Sequence, residues 1–371
     1  MRSLNILMTT VLYSPYIGGV ETHTREVAKR QAAMGHRVTV LTCDPTRELP
    51  RQDELDGVHI LRVPVRVKSM DLYVAPEMVS YILQGQWDIV HQQGYHTLVP
   101  PVAMAAALRA RLPYVVTFHS GGHSSKVQNA IRGTQQWSLR PLLARAAKLI
   151  GVSQFEAQHF QQHLHLPPEQ FQVVPNGSNL PDVRFDDTPA DGLVHLVSVG
   201  RLERYKGHQR AIEAMPHVLA RCPGARLRIV GKGPYESELR SLVGRLGLNE
   251  YVTIGVVPAE DRATMVRVLT EATLVLLLSD YEAHPISVME ALSVGRPVLV
   301  TYTSGLAELA DQGLVRSVPL DSPPSRLARA VLENIAQPHV PSQVRLRTWD
   351  DCAADLLSLY RQVLEAPRFA Y

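Results

Sequence analysis

Short apolar runs alternate with longer segments of helical period along this chain of 371 residues, and the alternation occurs twice. It opens with "LNILMTT" as a strand, then a loop ending in Gly18 and Gly19, "VETHTREVAKRQAAMG" with helical spacing, and "HRVTVLTC" as a second strand. Further buried runs follow at "DIVHQQ", "PYVVTFH" and "AKLIGVS", separated by "TLVPPVAMAAALRA" and "SQFEAQHFQQHL". Such alternation specifies a mainly parallel sheet with helices on both faces. Between Pro175 and Gly192 the pattern stops and proline, glycine, asparagine and aspartate accumulate, which marks a linker. It then restarts at "LVHLVSVG" and continues through "ARLRIVG", "YVTIG", "TLVLLLS" and "PVLVT", with helical segments between. The expectation is two doubly wound α/β domains, over residues 1–180 and 190–345, with a terminal helix of about 348–371 packing back on the first. Ligands of open parallel sheets bind beyond the carboxyl ends of the strands, so two facing domains would build one central cleft.

Composition excludes several classes. A formal net charge of +3 is too small for a nucleic-acid binder, and 6% aromatic residues leaves little for stacking on single strands. Cys43, Cys222 and Cys352 are odd in number and share no CxxC spacing, which reads as free thiols in a reducing, cytoplasmic compartment. The N-terminal apolar run is broken by threonines and fits a strand better than a signal peptide. "LVPPVAMAAAL" is about half the ~20 residues a bilayer crossing needs and holds two prolines.

The chemistry lies in the loops. Gly18 and Gly19 stand directly before a helix, where unpaired N–H groups and the helix dipole favour an anion. A plain structural turn remains open, and the absence of G-x-G-x-x-G argues against a dehydrogenase. "SVGRLERYKGH" sets Arg201 and Lys206 at a strand's carboxyl end beside Gly200 and Gly207. Two cations there suit a diphosphate, arginine by its fork and lysine as a point charge, unless the loop is simply a solvated basic one. Gly231 and Gly233 follow the next strand, as ligand approach or as turn. In "SDYEAHPISVME", Glu282 follows a buried strand and Glu290 lies in the next helix. A carboxylate can accept from both hydroxyls of a ribose or sugar diol; a local salt bridge is the alternative for Glu290.

"GGVETH", "VVPNG", "GRLERYKG", "VGKGP" and the E-x7-E element "EAHPISVME" occur in an order and spacing that resembles glycosyltransferase family 4, retaining enzymes of the GT-B fold, over nearly the whole chain. The resemblance implies transfer of a sugar, with retention and without metal or cofactor, from a nucleotide-diphosphate sugar (a UDP-sugar or GDP-mannose) to a hydroxyl acceptor. It assigns Gly18 and Gly19 to the donor diphosphate or sugar, Arg201 and Lys206 to the diphosphate, Glu290 to the ribose and Glu282 to the transferred sugar. Gly231, Gly233, His284, Pro285 and Ile286 join the donor set. His119 in "TFHSGGH" matches the histidine near the anomeric centre, and His23, Tyr95 and His123 fall on the acceptor side. Many relatives carry "EGFGLP" where this chain has Glu282, Ala283, His284 and Pro285, and proline offers no N–H. A nucleotide-sugar epimerase of the same fold and a non-catalytic nucleotide-sugar binder are the competing readings.

His159, His163 and His165 lack a cysteine or spaced acidic partner and read as an exposed helix end, with no metal. No acidic residue stands between Asp88 and Glu156, whereas Arg109, Arg111, Lys126, Arg132, Arg140, Arg145 and Lys148 do. Such cations could hold an anionic or lipid-linked acceptor, and segment 126–148, with Trp137, Leu139, Leu142 and Leu143, could touch the inner face of a membrane peripherally.

Overall fold

The structure, a computed structural model, describes residues 2–16, 18–65, 68–69, 72–120, 137–178, 192–258, 261–341 and 346–366. Among these, one compact unit gathers the residues within Met1–Ser120, Ala130–Gly177 and Arg347–Tyr371, and a second those within Ser178–Leu346.

The first unit is built on an eight-stranded sheet in the order β10-β9-β8-β7-β1-β2-β4-β3. Its strands are β1 (Asn5–Thr9), β2 (Arg37–Asp44), β3 (Gln52–Leu55), β4 (Val58–Pro64), β7 (Ile89–Gln93), β8 (Tyr114–Thr117), β9 (Lys148–Gly151) and β10 (Phe171–Val173); β5 (Lys68–Ser69) and β6 (Leu72–Tyr73) form a separate pair. β1 lies centrally, Ile6 opposite Val38 of β2 and Ile89 of β7, and all pairings are parallel except β3 with β4. That hairpin turns at Asp56 and Gly57, both at positive φ, as a type I′ turn requires. Hydrophobic alternation predicts no element from Asp44 to Trp87, although the "DG" there is a hairpin signal. Sheet order reverses between β1 and β7, so the loops after these strands diverge at a switch point.

Four helices follow in chain order: α1 (Gly19–Ala33), α2 (Met78–Gln84), α3 (Val99–Arg109) and α4 (Gln154–Leu164); residues 137–143 are also helical. Pro100 and Pro101 sit in the first turn of α3, where no N–H partner is lost. Ser153 caps α4 by accepting from Glu156 N at 3.2 Å. Leu7, Leu41, Phe118 and Phe160 centre the core, the two phenyl rings stacked 3.7 Å apart.

The second unit has a six-stranded parallel sheet, β13-β12-β11-β14-β15-β16, of β11 (Val194–Val199), β12 (Ala225–Val230), β13 (Val252–Gly255), β14 (Leu274–Leu277), β15 (Val298–Tyr302) and β16 (Arg316–Pro319). Its helices are α5 (His208–Leu219), α6 (Glu236–Arg245), α7 (Arg262–Thr270), α8 (Ile286–Ser293), α9 (Ser304–Asp311) and α10 (Pro324–Ala336). Here the switch point falls between β11 and β14, the two strands whose following loops carry Arg201 to Lys206 and Ser279 to Glu282.

The last helix, α11 (Trp349–Glu365), belongs to the first unit and packs along α1. Thr348 and Asp351 form a reciprocal capping box at its start. Trp349, Leu356, Leu357 and Tyr360 are buried, each such side chain contributing roughly 1.5–3 kcal/mol. A side chain at Gly177 would overlap the backbone of Thr348 and Trp349, so the "VVPNG" motif is what admits the returning chain. Among the described residues no helix is long and apolar enough to cross a membrane.

Candidate functional site

In the second unit, β11 ends at Val199, and the chain passes Gly200 and a 3₁₀ turn, Arg204–Lys206, into α5. Lys206 Nζ lies 2.6 Å from Glu282 Oε1, which also accepts from Ser279 Oγ at 2.7 Å. Both partners are largely buried. Burial opposes charge on Lys206, but Glu282 outweighs it and raises the lysine's pKa above its ordinary value. Glu282 is held by its backbone as well: its N–H donates to Ser304 Oγ at 2.8 Å and its carbonyl accepts from Gly305 N at 2.8 Å. The pair is therefore a fixed ion pair, the lysine held charged, at the carboxyl edge of the sheet.

Arg201 is more exposed, its side chain 60% accessible, its Nη1 3.5 Å from Glu203 and its Nη2 donating to Tyr205 Oη at 3.3 Å. Its carbonyl is gripped from below. His208, at the start of α5, donates from Nε2 to Arg201 O at 3.2 Å and accepts from Ser198 Oγ at 2.9 Å on Nδ1. Burial pushes this imidazole's pKa down to about 4 and keeps it neutral. Gly231 and Gly233 face the loop of residues 200–202: a Cβ at Gly231 would strike Gly200 O, and one at Gly233 the backbone of Leu202. Their bareness thus serves close packing of two loops, stitched by Leu202 N to Lys232 O at 3.0 Å and Tyr235 N to Leu202 O at 2.9 Å.

Pro285 caps α8, His284 before it is half-buried, desolvation pushing its pKa down to about 4, and Ile286 opens the helix. Glu290, one turn in, is buried and bonded to the Arg262 guanidinium from the start of α7. Burial raises the Glu290 pKa while Arg262 draws it back. The local salt bridge left open by the sequence is present, with a partner 28 positions away.

The first unit is built differently. Gly18 caps α1 in extended backbone, and nothing lies within 4 Å of a Cβ placed on Gly19. Glu21, at the third helical position, turns its carboxylate back against Gly18. An internal carboxylate thus sits at the helix end where the sequence favoured an external anion.

Beside this end His23 is 1% exposed, its Nδ1 2.8 Å from Asn176 Oδ1 of "VVPNG" and its ring centroid 4.4 Å from His119 and 5.7 Å from Trp349. Its Nε2 has no hydrogen-bond partner among the described residues, and burial pushes its pKa down to about 4. His119 holds a left-handed φ of 49°, a conformation that costs a non-glycine residue and clusters at functional positions. Its Nε2 is 2.8 Å from Gln93 Oε1, which leaves Nδ1 as an acceptor, and burial, with His23 next, keeps the ring neutral. The following residue, Ser120, is tied by N–H and hydroxyl to Glu156, a fully buried carboxylate that also accepts from Val152 N at 2.7 Å. Backbone and hydroxyl donors satisfy it without a counter-charge, though burial still raises its pKa. His91 bridges Tyr360 Oη at 2.5 Å and Thr117 Oγ1 at 2.7 Å.

Residues 17–180 match the Glycosyltransferase Family 4 family, and residues 182–347 the Glycosyl transferases group 1 family. The chain belongs to glycosyltransferase family 4. It is 26% identical to the D-inositol 3-phosphate glycosyltransferase of Acidothermus cellulolyticus, over 95% of this chain and 87% of that protein. In fold it is similar to sucrose-phosphate synthase of Thermosynechococcus elongatus (TM-score 0.81, 21% identity, 99% and 100% of the chains) and to Anabaena HepE, solved in complex with UDP-glucose (TM-score 0.69, 20% identity, 98% of each). The two parallel-sheet units are those of a GT-B glycosyltransferase.

Within this family 4 enzyme, sequence reasoning missed Arg262, His208, Glu156 and Glu21, each of which acts on a motif residue from outside the motif or from its unremarked positions. Tyr95 is 1% exposed and packs in the core, its ring centroid 5.0 Å from Phe160, so it forms part of the wall behind the β7 loop. His123 lies outside the described residues. The apolar stripe read as a membrane face needs correction: Leu139 and Leu143 are buried in the core with Leu142 packed against it, whereas Trp137 is 74% exposed. Two of the cations are also engaged internally, Arg140 Nε with Leu164 O at 2.8 Å and Lys148 Nζ with Glu169 O at 2.6 Å. The rings of His159 and His163 lie 4.1 Å apart on α4, tilted by 35°, and among the described residues no group of three or more potential metal ligands occurs.

Proposed function

We propose that this glycosyltransferase moves a hexosyl group, with retention and without a metal, from a nucleotide-diphosphate sugar to a hydroxyl acceptor. The observation that carries this reading is the Lys206–Glu282 pair, with Arg201 beside it, at the switch point of the second unit's sheet. Breaking a sugar–diphosphate bond leaves a negative group, and Arg201 and Lys206 supply the charge that stabilises it. Glu282, pinned through one oxygen, keeps acceptor capacity for sugar hydroxyls, and Glu290 does the same for the ribose diol. The first unit offers neutral hydroxyl partners: His23 Nε2 is a buried acceptor with no partner among the described residues, His119 Nδ1 is the acceptor nitrogen of a ring whose Nε2 is bonded to Gln93, and the Glu21 end of α1 suits sugar hydroxyls better than a second anion.

No side chain is favoured as a covalent nucleophile, so we read the chemistry as front-face displacement, the departing phosphate taking the acceptor's proton. Among acceptors a phosphorylated polyol or lipid-linked hydroxyl fits the basic stretch, as does the name of the D-inositol 3-phosphate relative. Peripheral contact with a membrane's inner face would rest on Trp137 and the exposed Arg145.

The test is product analysis by proton NMR with UDP-glucose and GDP-mannose, each with and without inositol phosphate, in EDTA. Retained anomeric configuration in a new glycoside supports the reading. Conversion of donor alone to an epimer, or a strict need for added divalent ion, rejects it. Calorimetry on Glu290→Gln tests the ribose contact separately, since unchanged nucleotide affinity would remove it.

A further inference from the structure

Arg262 is the first residue of α7, whose cap Asp261 accepts from Thr264 N at 3.0 Å. A cation at that end opposes the helix dipole, so the position is unfavourable for an arginine unless something else holds it. What holds it is Glu290 on the neighbouring helix α8: Arg262 Nη2 bonds Glu290 Oε1, and it is that carboxylate's hydrogen-bond partner among the described residues. The arginine is partly exposed and the glutamate buried, so the charge is delivered from the solvent side into a closed position.

We propose that Arg262 is a positioning residue of the nucleotide half-site, holding the buried Glu290 carboxylate ionised and aimed so that it can accept both hydroxyls of a ribose diol. This rests on the reading of Glu290 as ribose acceptor. A carboxylate has about four lone-pair positions, and pinning one oxygen leaves the rest available. Among the described residues Arg262 is the charge that acts on Glu290. Glu290 is the one titratable residue on α8, β14 has none, and Tyr302 on β15 is bonded to Asp311 at 3.0 Å. On α7 the other cation, Arg267, is exposed five positions on, and His284 before α8 is held neutral by burial.

Without Arg262, burial alone would act on Glu290 and its protonation would move to higher pH. A protonated carboxyl loses acceptor capacity, so binding would weaken at low pH and recover as pH rises. The experiment measures UDP, GDP and ADP affinities by calorimetry between pH 5.5 and 8.5 for the full chain and for Arg262→Gln, Arg262→Lys and Glu290→Gln. Variant and wild type are compared as a ratio of Kd, in which the nucleotide's own ionisation cancels. Arg262→Gln should bind about tenfold more weakly than wild type at pH 5.5, with the gap narrowing toward pH 8.5, as loss of a charge-assisted hydrogen bond implies. Arg262→Lys should restore the wild-type profile, and Glu290→Gln should be weak with a flat ratio. Glu290→Gln weak but Arg262→Gln like wild type, or weakened evenly at all pH, overturns the inference alone. Glu290→Gln binding normally, or wild type binding none of the three nucleotides, overturns the ribose reading and the inference with it.

Discussion

In the second unit Glu282 and Glu290 each meet a cation, whereas in the first Glu156 is satisfied by amides and a hydroxyl, and His23, His91 and His119 are kept neutral by burial. On the function proposed above, these two ways of burying a titratable group suit two kinds of ligand. A charged ligand calls for charges that already exist and are held in place, which ion pairs achieve at the cost of desolvation. A neutral, hydroxyl-rich ligand calls for hydrogen-bonding capacity without net charge, which a buried imidazole provides. The difference lies in the carboxylates, paired with cations at Glu282 and Glu290 but held by amides and a hydroxyl at Glu156, since the second unit also buries a neutral ring at His208.

Cutting one member of a pair is the most direct way to break this contrast. Lys206→Met strands Glu282 in a buried position and should lower stability by about 3–5 kcal/mol in equilibrium urea unfolding. Adding Glu282→Leu should recover most of that stability while turnover stays lost; a single variant as stable as wild type would show that the pair is not buried in effect. Arg201→Ala comes next and separates charge from packing. Its side chain is mostly exposed, so stability should hold while kcat falls about 100-fold or more, about 3 kcal/mol of barrier, in a donor-turnover assay. An unchanged kcat would remove Arg201 from the diphosphate. The smallest effect sharpens the other side. His23 titrates near 4 when folded and near its ordinary value when unfolded, so its contribution is complete above about pH 6.5 and lost as pH falls toward 4. At pH 5 the loss is about 2 kcal/mol for this ring, and His23→Gln should flatten the fall in unfolding free energy between pH 7 and 5 by that amount. An equally steep fall in the variant would mean that His23 is not the neutral ring described.

The contrast also explains what could be read from the sequence. Alternation fixes the two sheets because strand and helix periods are local, and Arg201, Lys206, Glu282 and Glu290 are legible because charges at strand ends stand out against apolar runs. Partners are not local. Arg262 lies 28 residues before Glu290 and Tyr360 lies 269 after His91, and no periodicity links either pair. Burial misleads too: a helical stripe at Leu139, Leu142 and Leu143 serves a core or an interface equally well on paper, and the core claims it. Glu21 and Glu156 are ordinary helix-start glutamates in sequence, and their carboxylates matter through the backbone that folds against them.

The return of α11 to the first unit has a consequence for vectorial synthesis. Trp349 beside His23 and Tyr360 beside His91 emerge from a ribosome only after the roughly 170 residues of the intervening unit, a delay on the order of ten to thirty seconds. Until then the nascent first half exposes the apolar flank of α1, so the half translated first is the half completed last.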